Sequence, residues 1–424
     1  MGSDMLIVQP FRGVRYDPSR VPDLSSVVSL PYDVLTEEER DDLYQTSPFN
    51  IVRLIWGKEL PGREEEGNPY LRASALLQSW LKEGILRRDE EEAFYLSVQD
   101  FSFQGRGERR TGLVARVSLS HAEGGSIFLH EETFSQQVND RLQLLQATSA
   151  HLDSIFAVYA GDSEALNRLM REQMEDPPLL DLQDRWGVRN RIWAVHGKER
   201  LETISEEMRG RQLIVADGHH RYQASLRYFA EKGQQGHVLM TLVSLNDPGL
   251  VILPYHRLIL DPEMDTVGTF LNRLRSSFRV DEVRLPHRKE RQILLTEYLW
   301  ADTGPIPRFA FYGGGDSLFL LTRPSRGISD ASPLMEIFVL EEEILPNLKG
   351  WEAGRKEEMV CYTPSIEEAL HQVEAGGAQL AIFLRPPSPQ ELLTLVRGGR
   401  KAPPKSTYFY PKLLSGLVLD LLDG

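Results

Sequence analysis

The run Leu213 to Ala224, LIVADGHHRYQA, takes an apolar, β-favouring stretch into Asp217-Gly218-His219-His220-Arg221, and a helix-compatible segment from Tyr222 to Phe229 follows at once. A strand that passes through a glycine turn into a helix start presents backbone N–H groups to whatever lies above it, which suits an anion. Two imidazoles and a guanidinium at the same corner add donors for phosphate or carboxylate. The acid ahead of the glycine can bind a metal or orient one of the histidines. Asp-Gly is also an ordinary turn, and a His pair can be plain surface. Five consecutive polar or turn residues at the end of a buried strand nonetheless point to a purpose.

Four further clusters have chemistry-bearing residues. Leu129-His130-Glu131-Glu132-Thr133 follows a strand-like run. Adjacent carboxylates there can repel, raising one towards a general base, or hold Mg²⁺ with substrate phosphate oxygens; acids in the first turn of a helix give the same pattern. Arg141 lies in the helix that follows and can face the same site, although a helical arginine is usually solvated. In Leu253-Pro254-Tyr255-His256-Arg257, polar groups end an apolar segment, either at a sheet edge facing a cleft or as a satisfied loop histidine. The tail stretch KAPPKSTYFYPK, Lys401 to Lys412, gathers lysines, hydroxyls and aromatics, as an anion-binding or base-stacking loop does, with Lys405 and Lys412 as its cations. Pro31-Tyr32-Asp33-Val34 places a phenol and an acid after a strand, within reach of a substrate.

Composition narrows the classes. At 424 residues the chain is expected to hold two or three domains. A formal net charge of −14 argues against a surface that coats nucleic acid or anionic membrane. The single cysteine, Cys361, rules out an internal disulfide and multi-thiolate metal sites, and suits a reducing cytoplasm. No apolar run approaches a membrane span, and MGSDMLIVQPF lacks the basic and long apolar regions of a secretory leader. GxxxxGK[ST], HExxH and G-x-S-x-G are all missing, and Gly105-Arg106-Gly107 opens no dinucleotide-binding helix. Adjacent histidines without thiolates make a poor zinc site.

The elements that must position these clusters are mixed α/β. Thr36-Glu37-Glu38-Glu39 resembles a helix cap, with the helix reaching about Tyr44. YLRASALLQSWLKEG predicts a helix with Leu71, Ala75, Leu76, Trp80 and Leu81 on one face and Gly84 at its C-cap. EEAFYLSVQDFSF and RRTGLVARVSLS alternate around Gly105-Arg106-Gly107 as a hairpin does. Residues 163–211, rich in charge and broken at Pro177-Pro178, read as an insertion or peripheral cover. The expected division is an N-terminal α/β region (1–120), a core bearing both motifs (121–260) and a C-terminal α/β lobe (261–424) that closes over the cleft and delivers the KSTYFYPK loop.

Taken in order, QPFRGVRYDP, SLPYDV, NIVRL (50–54), LHEETF, NDRLQLL (139–145), VADGHHRY, ILPYHRL and PPKSTYFYPKLLSGLV resemble the bacterial family called domain of unknown function 1015, nearly end to end. The central segment also resembles the ParB/sulfiredoxin superfamily, in which a strand leads into a Gly-x-x-Arg turn that holds nucleotide phosphates. Within it, the archaeal free-serine kinases pair a His-Glu-Glu segment with Asp-Gly-His-His-Arg. That resemblance implies a ParB/sulfiredoxin-like nucleotide-binding core with additional lobes, a phosphate donor such as ATP or ADP, Mg²⁺, and a small hydroxyl-bearing acceptor, free L-serine first.

It implies a catalytic set of Glu131, as the base taking the hydroxyl proton, Asp217 and His220. Gly218, His219, His220 and Arg221 would cradle phosphate, with Arg141, Lys405 and Lys412 beside them. His130, Tyr32, Asp33, His256 and Arg257 would contact the substrate, and Glu132 and Asp217 the metal. The spacing departs from the kinases, because about 80 residues separate HEET from DGHHR; residues 163–211 must loop out for both motifs to share a cleft. A sulfiredoxin-type activity would need a cysteine where His219 stands. The rival expectation is a ParB-like regulatory protein that binds or hydrolyses nucleotide without a small acceptor.

Overall fold

The computed structural model describes residues 6–58, 67–119, 125–261, 264, 266–301, 306–324, 335–349, 351 and 359–422. The chain divides into two compact units: residues 1–129, 133–250 and 411–424 form the first, and 130–132 with 251–410 form the second. Both are mixed α/β. No helix among the described residues is long and apolar enough to cross a membrane.

In the first unit nine strands form one mixed sheet among the described residues. They are β1 (Val8–Gln9), β2 (Phe94–Phe103), β3 (Arg106–Ser118), β4 (Ile127–Leu129), β5 (Ile155–Tyr159), β6 (Leu180–Gln183), β7 (Arg189–Val195), β8 (Leu213–Asp217) and β9 (His237–Ser244). Their order is β4-β8-β5-β9-β3-β2-β7-β6, with β1 beside β3. The pairs β8–β4 and β9–β5 are parallel and the rest antiparallel. The expected hairpin is β2–β3, in register from Phe103 opposite Arg106. Gln104 (φ 49°) and Gly105 (φ 76°) turn it, both left-handed, as a two-residue loop matching the strand twist requires. Alternation splits the sheet's two faces: Phe94, Leu96 and Val98 join one buried cluster and Tyr95 the other.

The helices that matter here are α1 (Glu37–Thr46), α2 (Pro69–Lys82), α3 (Ser135–Thr148), α4 (Glu164–Gln173), α5 (Lys198–Met208) and α6 (His219–Lys232). Thr36 and Glu39 close a capping box on α1, which runs two residues past the expected end. α2 is rotated from expectation. It buries Ala73, Leu77 and Trp80, while Leu71 is half exposed, because this spacing seats the Trp80 indole against Tyr16 and Phe49. Residues 163–211 are likewise not a peripheral cover: β7 pairs along β2 through seven register positions, and α4 and α5 send Leu166, Leu169, Ile204 and Met208 into the sheet's core. Most of the charges on these segments are exposed, while Asp184 is buried.

Among the described residues the second unit is built on a six-stranded antiparallel sheet: β10 (His256–Ile259), β11 (Arg279–Arg284), β12 (Arg308–Tyr312), β13 (Ser317–Thr322), β14 (Val360–Thr363) and β15 (Leu380–Leu384), in the order β11-β13-β12-β15-β10-β14. Phe309, Phe311 and Ile382 pack on one face, and Ala310, Tyr312 and Phe383 on the other. Val251–Pro254 and Thr407–Tyr410 pair as a separate two-stranded ribbon.

Candidate functional site

β8 delivers Asp217 to its C-terminal end, and Gly218 then turns the chain with φ +92° and ψ 27° before α6 begins. Two things require glycine there. A Cβ would stand in a strained backbone region, and it would lie 2.9–3.0 Å from the Arg221 guanidinium, which folds back over the turn. No side chain caps α6 at Gly218, and the positive end of the helix dipole at this turn favours an anion.

Around this turn the first unit gathers a buried set of charges. Lys412 Nζ donates to Asp217 Oδ1, and Arg221 Nη2 donates to Asp217 Oδ2 at 3.0 Å. Arg221 Nη1 also donates to the Ser154 carbonyl at 2.8 Å. The Lys412 side chain is only 4% exposed, and its backbone is tied to the sheet because Gln99 Nε2 donates to its carbonyl. Burial alone would raise the Asp217 carboxyl; Lys412 and Arg221 outweigh it and hold the group well below the usual carboxylate range. Burial likewise works against the Arg221 charge, but Asp153, Asp217 and Asp33 together keep its pKa raised.

Tyr32 and Asp33, from the loop ahead of α1, belong to the same set. The Arg141 guanidinium carbon lies 3.8 Å from the Tyr32 ring centroid, a cation–π contact. Arg141 is buried, donating to the Ile55 carbonyl at 2.8 Å and to Asp140 at 2.7 Å. Burial, then Asp33, push the Tyr32 phenol well up. The Tyr32 hydroxyl, Asp33 Oδ1 and Asp153 Oδ1 are buried without a hydrogen-bond partner among the described residues. Arg141, His151, Asp153, Arg221 and Ser225 line a small cavity of about 40 Å³, with leucines, alanines, Ile155 and Val238 as its apolar wall.

His219 is buried beside Asp217. His220 is partly exposed: its Nε2 accepts the Phe134 N–H at 3.2 Å, and its ring stacks on Phe134 at 6.2 Å. Sequence reasoning missed Asp153, Ser154 and His151. The signal was the polar run SAHLDS ahead of the buried β5, the same strand-end pattern that marks the DGHHR turn.

The other expected residues lie in the second unit. Glu131 is buried, and its carboxylate accepts from the backbone N–H groups of Lys405 (3.2 Å), Ser406 (3.1 Å) and Thr407 (2.9 Å) and from the Thr407 hydroxyl (2.9 Å). Lys405, at φ +59°, turns these donors inward. His130 Nε2 bonds Thr407 Oγ1 at 2.7 Å, and the Ala402 N–H donates to the His130 carbonyl at 2.7 Å. The HEET segment is thus sewn to the KSTYFYPK loop, and Glu131 acts there as its clasp.

Lys405 sets its ammonium 5.5 Å over the Tyr255 ring. His256 and Arg257 are not at a sheet edge, because they sit on the interior strand β10. Arg257 donates to the carbonyls of Tyr255 and Lys405. The Leu384 N–H donates to His256 Nδ1, and burial keeps that imidazole neutral, at about 3. Glu132 is exposed. No group of three or more His, Cys, Asp or Glu suited to a metal occurs among the described residues.

Residues 8–339 match the family described as protein of unknown function (DUF1015). The chain belongs to that family. No curated protein matches. Among solved structures, a conserved hypothetical protein from Pyrococcus furiosus aligns over 68% of this chain and 89% of its own, at 13% identity and a TM-score of 0.31. A free serine kinase in complex with AMP aligns over 70% and 88%, at 12% identity and 0.34. SbnI with a C-terminal truncation from Staphylococcus aureus aligns over 68% and 82%, at 12% identity and 0.34. The match thus runs from β1 into the second unit and includes the DGHHR turn and Glu131, while Lys405 to Lys412 lie beyond it.

Proposed function

We propose that this chain is a cytoplasmic, nucleotide-dependent phosphotransferase that uses ATP or ADP to phosphorylate a small hydroxyl-bearing metabolite, with free L-serine the first acceptor to test. The observation that carries the reading is the Gly218 turn: a strand end, an uncapped helix N-terminus and the fixed cations Arg221 and Lys412 meet at one buried corner. Phosphoryl transfer asks chiefly for positioning and charge neutralisation. Preset cations of this kind supply both without reorganising. The Gly218-x-x-Arg221 spacing also fits a ParB/sulfiredoxin-like phosphate turn in the first unit.

In this reading the turn receives the donor phosphates. Arg221 and Lys412 neutralise them, and Asp217 keeps both cations in place rather than acting on substrate. Asp217 fits poorly as a Mg²⁺ ligand while both its oxygens are bonded. Glu131 as base rests on the motif resemblance. To take a proton it must release part of its fourfold hold on residues 405–407.

That hold favours one second reading, a nucleotide-binding regulatory protein whose Glu131 clasp serves structure alone. Phosphorus NMR with Mg²⁺, ATP or ADP and a panel of hydroxyl amino acids and polyols separates the two. The transferase gives a new phosphomonoester, lost in Glu131→Gln and His220→Ala. Nucleotide turnover indifferent to acceptor supports the regulator, and no nucleotide binding refutes both.

A further inference from the structure

The segment that brings Lys412 to Asp217 is held by a polar row that lies outside the corner itself. Gln99 on β2 stands directly opposite Arg110 on β3 and Asn190 on β7, so the three side chains lie in one line across neighbouring strands. All three are buried. Arg110 donates to Gln99 Oε1 and to the Pro411 carbonyl. Gln99 Nε2 donates to the Lys412 carbonyl at 3.2 Å and to Asn190 Oδ1 at 3.1 Å. Asn190 Nδ2 donates in turn to Asp184 Oδ2 at 3.1 Å, and Asp184 Oδ1 accepts the Trp186 and Val188 N–H groups. The Arg110 guanidinium carbon also lies 4.6 Å from the ring centroid of Phe156, the β5 residue that pairs with Asp217.

Packing does not call for this row. The same face of the sheet is otherwise apolar, where Tyr95, Val114, Ile192 and Leu239 meet Leu414, Leu417 and Val418. Apolar contacts are non-directional and hold a segment without fixing its register. Burying polar groups costs free energy unless each is paired. What the row adds is an address. Its donors reach the carbonyls of Pro411 and Lys412, and a slip of one residue would set Pro411 or Leu413 where the ammonium now meets Asp217. Fixing register at a cost in stability is the best-attested use of buried polar groups.

We infer that Arg110, Gln99 and Asn190 are positioning residues for the phosphate corner: the row fixes the backbone of Pro411 and Lys412 and so seats the Lys412 ammonium beside Asp217 and Arg221. The inference rests on the phosphotransferase reading for what that ammonium meets. Each of the three residues acts through Lys412 and not on phosphate.

The test is a double-mutant cycle on ADP affinity, by calorimetry of the full chain at fixed salt, with wild type, Gln99→Met, Lys412→Met and the double variant. Gln99→Met is expected to weaken ADP binding at least fivefold while Lys412 is present. Once Lys412 is replaced the same change should cost less than twofold, because the row then has no ammonium to position. Val98→Ala, buried on the sheet's other face, controls for lost stability and is expected to keep ADP affinity within twofold. A second readout needs no nucleotide: reductive methylation with formaldehyde and a borane, mapped by mass spectrometry. Lys412 is expected to react at least tenfold faster in Gln99→Met than in wild type or Val98→Ala. Circular dichroism establishes that each variant folds. Where Gln99→Met does not, Asn190→Leu takes its place, with a loss of threefold or more in the same direction.

Equal losses with and without Lys412 overturn the inference and reduce the row to a support of the fold. An unchanged Lys412 methylation rate in the folded variant does the same. If ADP binds and Lys412→Met leaves its affinity untouched, the inference falls while a phosphate site without Lys412 stands. If ADP does not bind the wild type, the phosphate reading falls instead. Methylation then decides the row by itself: a faster rate in Gln99→Met upholds it as what seats the ammonium, and an unchanged rate refutes it.

Discussion

Replacing Lys412 with methionine removes a buried ammonium and keeps its volume, so the variant isolates the charge. Lys412 bonds Asp217 Oδ1 and is almost fully enclosed; Arg221, with His219 beside it, is then left to answer the carboxylate. In the folded chain Asp217 titrates at about 2, against an ordinary 3.8, through Lys412 and Arg221 acting against burial. Its folded value is depressed, so its contribution is present above the unfolded value and is lost as pH falls from about 4 through about 2.

That difference is worth roughly 2–3 kcal/mol at neutral pH, and removing one partner of a buried pair typically costs about 3–5 kcal/mol. With Arg221 retained, a loss of ~2–4 kcal/mol at pH 7 is expected for Lys412→Met. Differential scanning calorimetry of wild type and variant from pH 7 to pH 2.5 reads it, as a lower melting transition for the first unit. The gap between the two proteins should shrink as Asp217 protonates. Equal stability at pH 7, or a gap that widens in acid, refutes the reasoning.

Gly218→Ala should destabilise the chain by roughly 1–3 kcal/mol and displace the Arg221 guanidinium, since the added Cβ meets both positive φ and that group; chemical denaturation and ADP titration check the two effects. Glu131→Gln places an amide where backbone N–H groups now converge. Hydrogen exchange at Lys405, Ser406 and Thr407 should accelerate at least tenfold, whereas unchanged exchange would show that the clasp is dispensable. His151 titrates at about 4, lowered chiefly by burial. The unfolded chain therefore binds the extra proton first, and stability should fall as pH drops below 6.5, by ~2 kcal/mol at pH 5; His151→Gln should flatten that slope in urea denaturation curves.

The DGHHR turn was legible because its information is local: β-branched residues end at a glycine whose positive φ the turn demands, and a helix follows. Tyr32 and Asp33 were legible as types, but not as neighbours of Arg141 and Arg221. Lys405 and Lys412 look alike in sequence, yet they reach different surroundings because the division between units falls between Tyr410 and Pro411. Only Lys412 meets Asp217, across 195 positions of chain that no periodicity encodes. His256 and Arg257 misled because polar residues usually end a strand. Here strand pairing breaks at Tyr255 and β10 starts at His256, and its sheet neighbours bury both side chains. Residues 163–211 misled through their charge, which masked the β7 alternation that packs Trp193 and Val195 inward.

The most direct test of the phosphate cradle is a titration of ADP into the full chain by calorimetry, repeated with Arg221→Gln at matched salt. Saturable binding in the wild type, weakened tenfold or more (about 1.4 kcal/mol or more) in a variant that still folds, is the result expected from a guanidinium folded over the Gly218 turn. Binding that Arg221→Gln leaves untouched, or no saturable binding in the wild type, contradicts it.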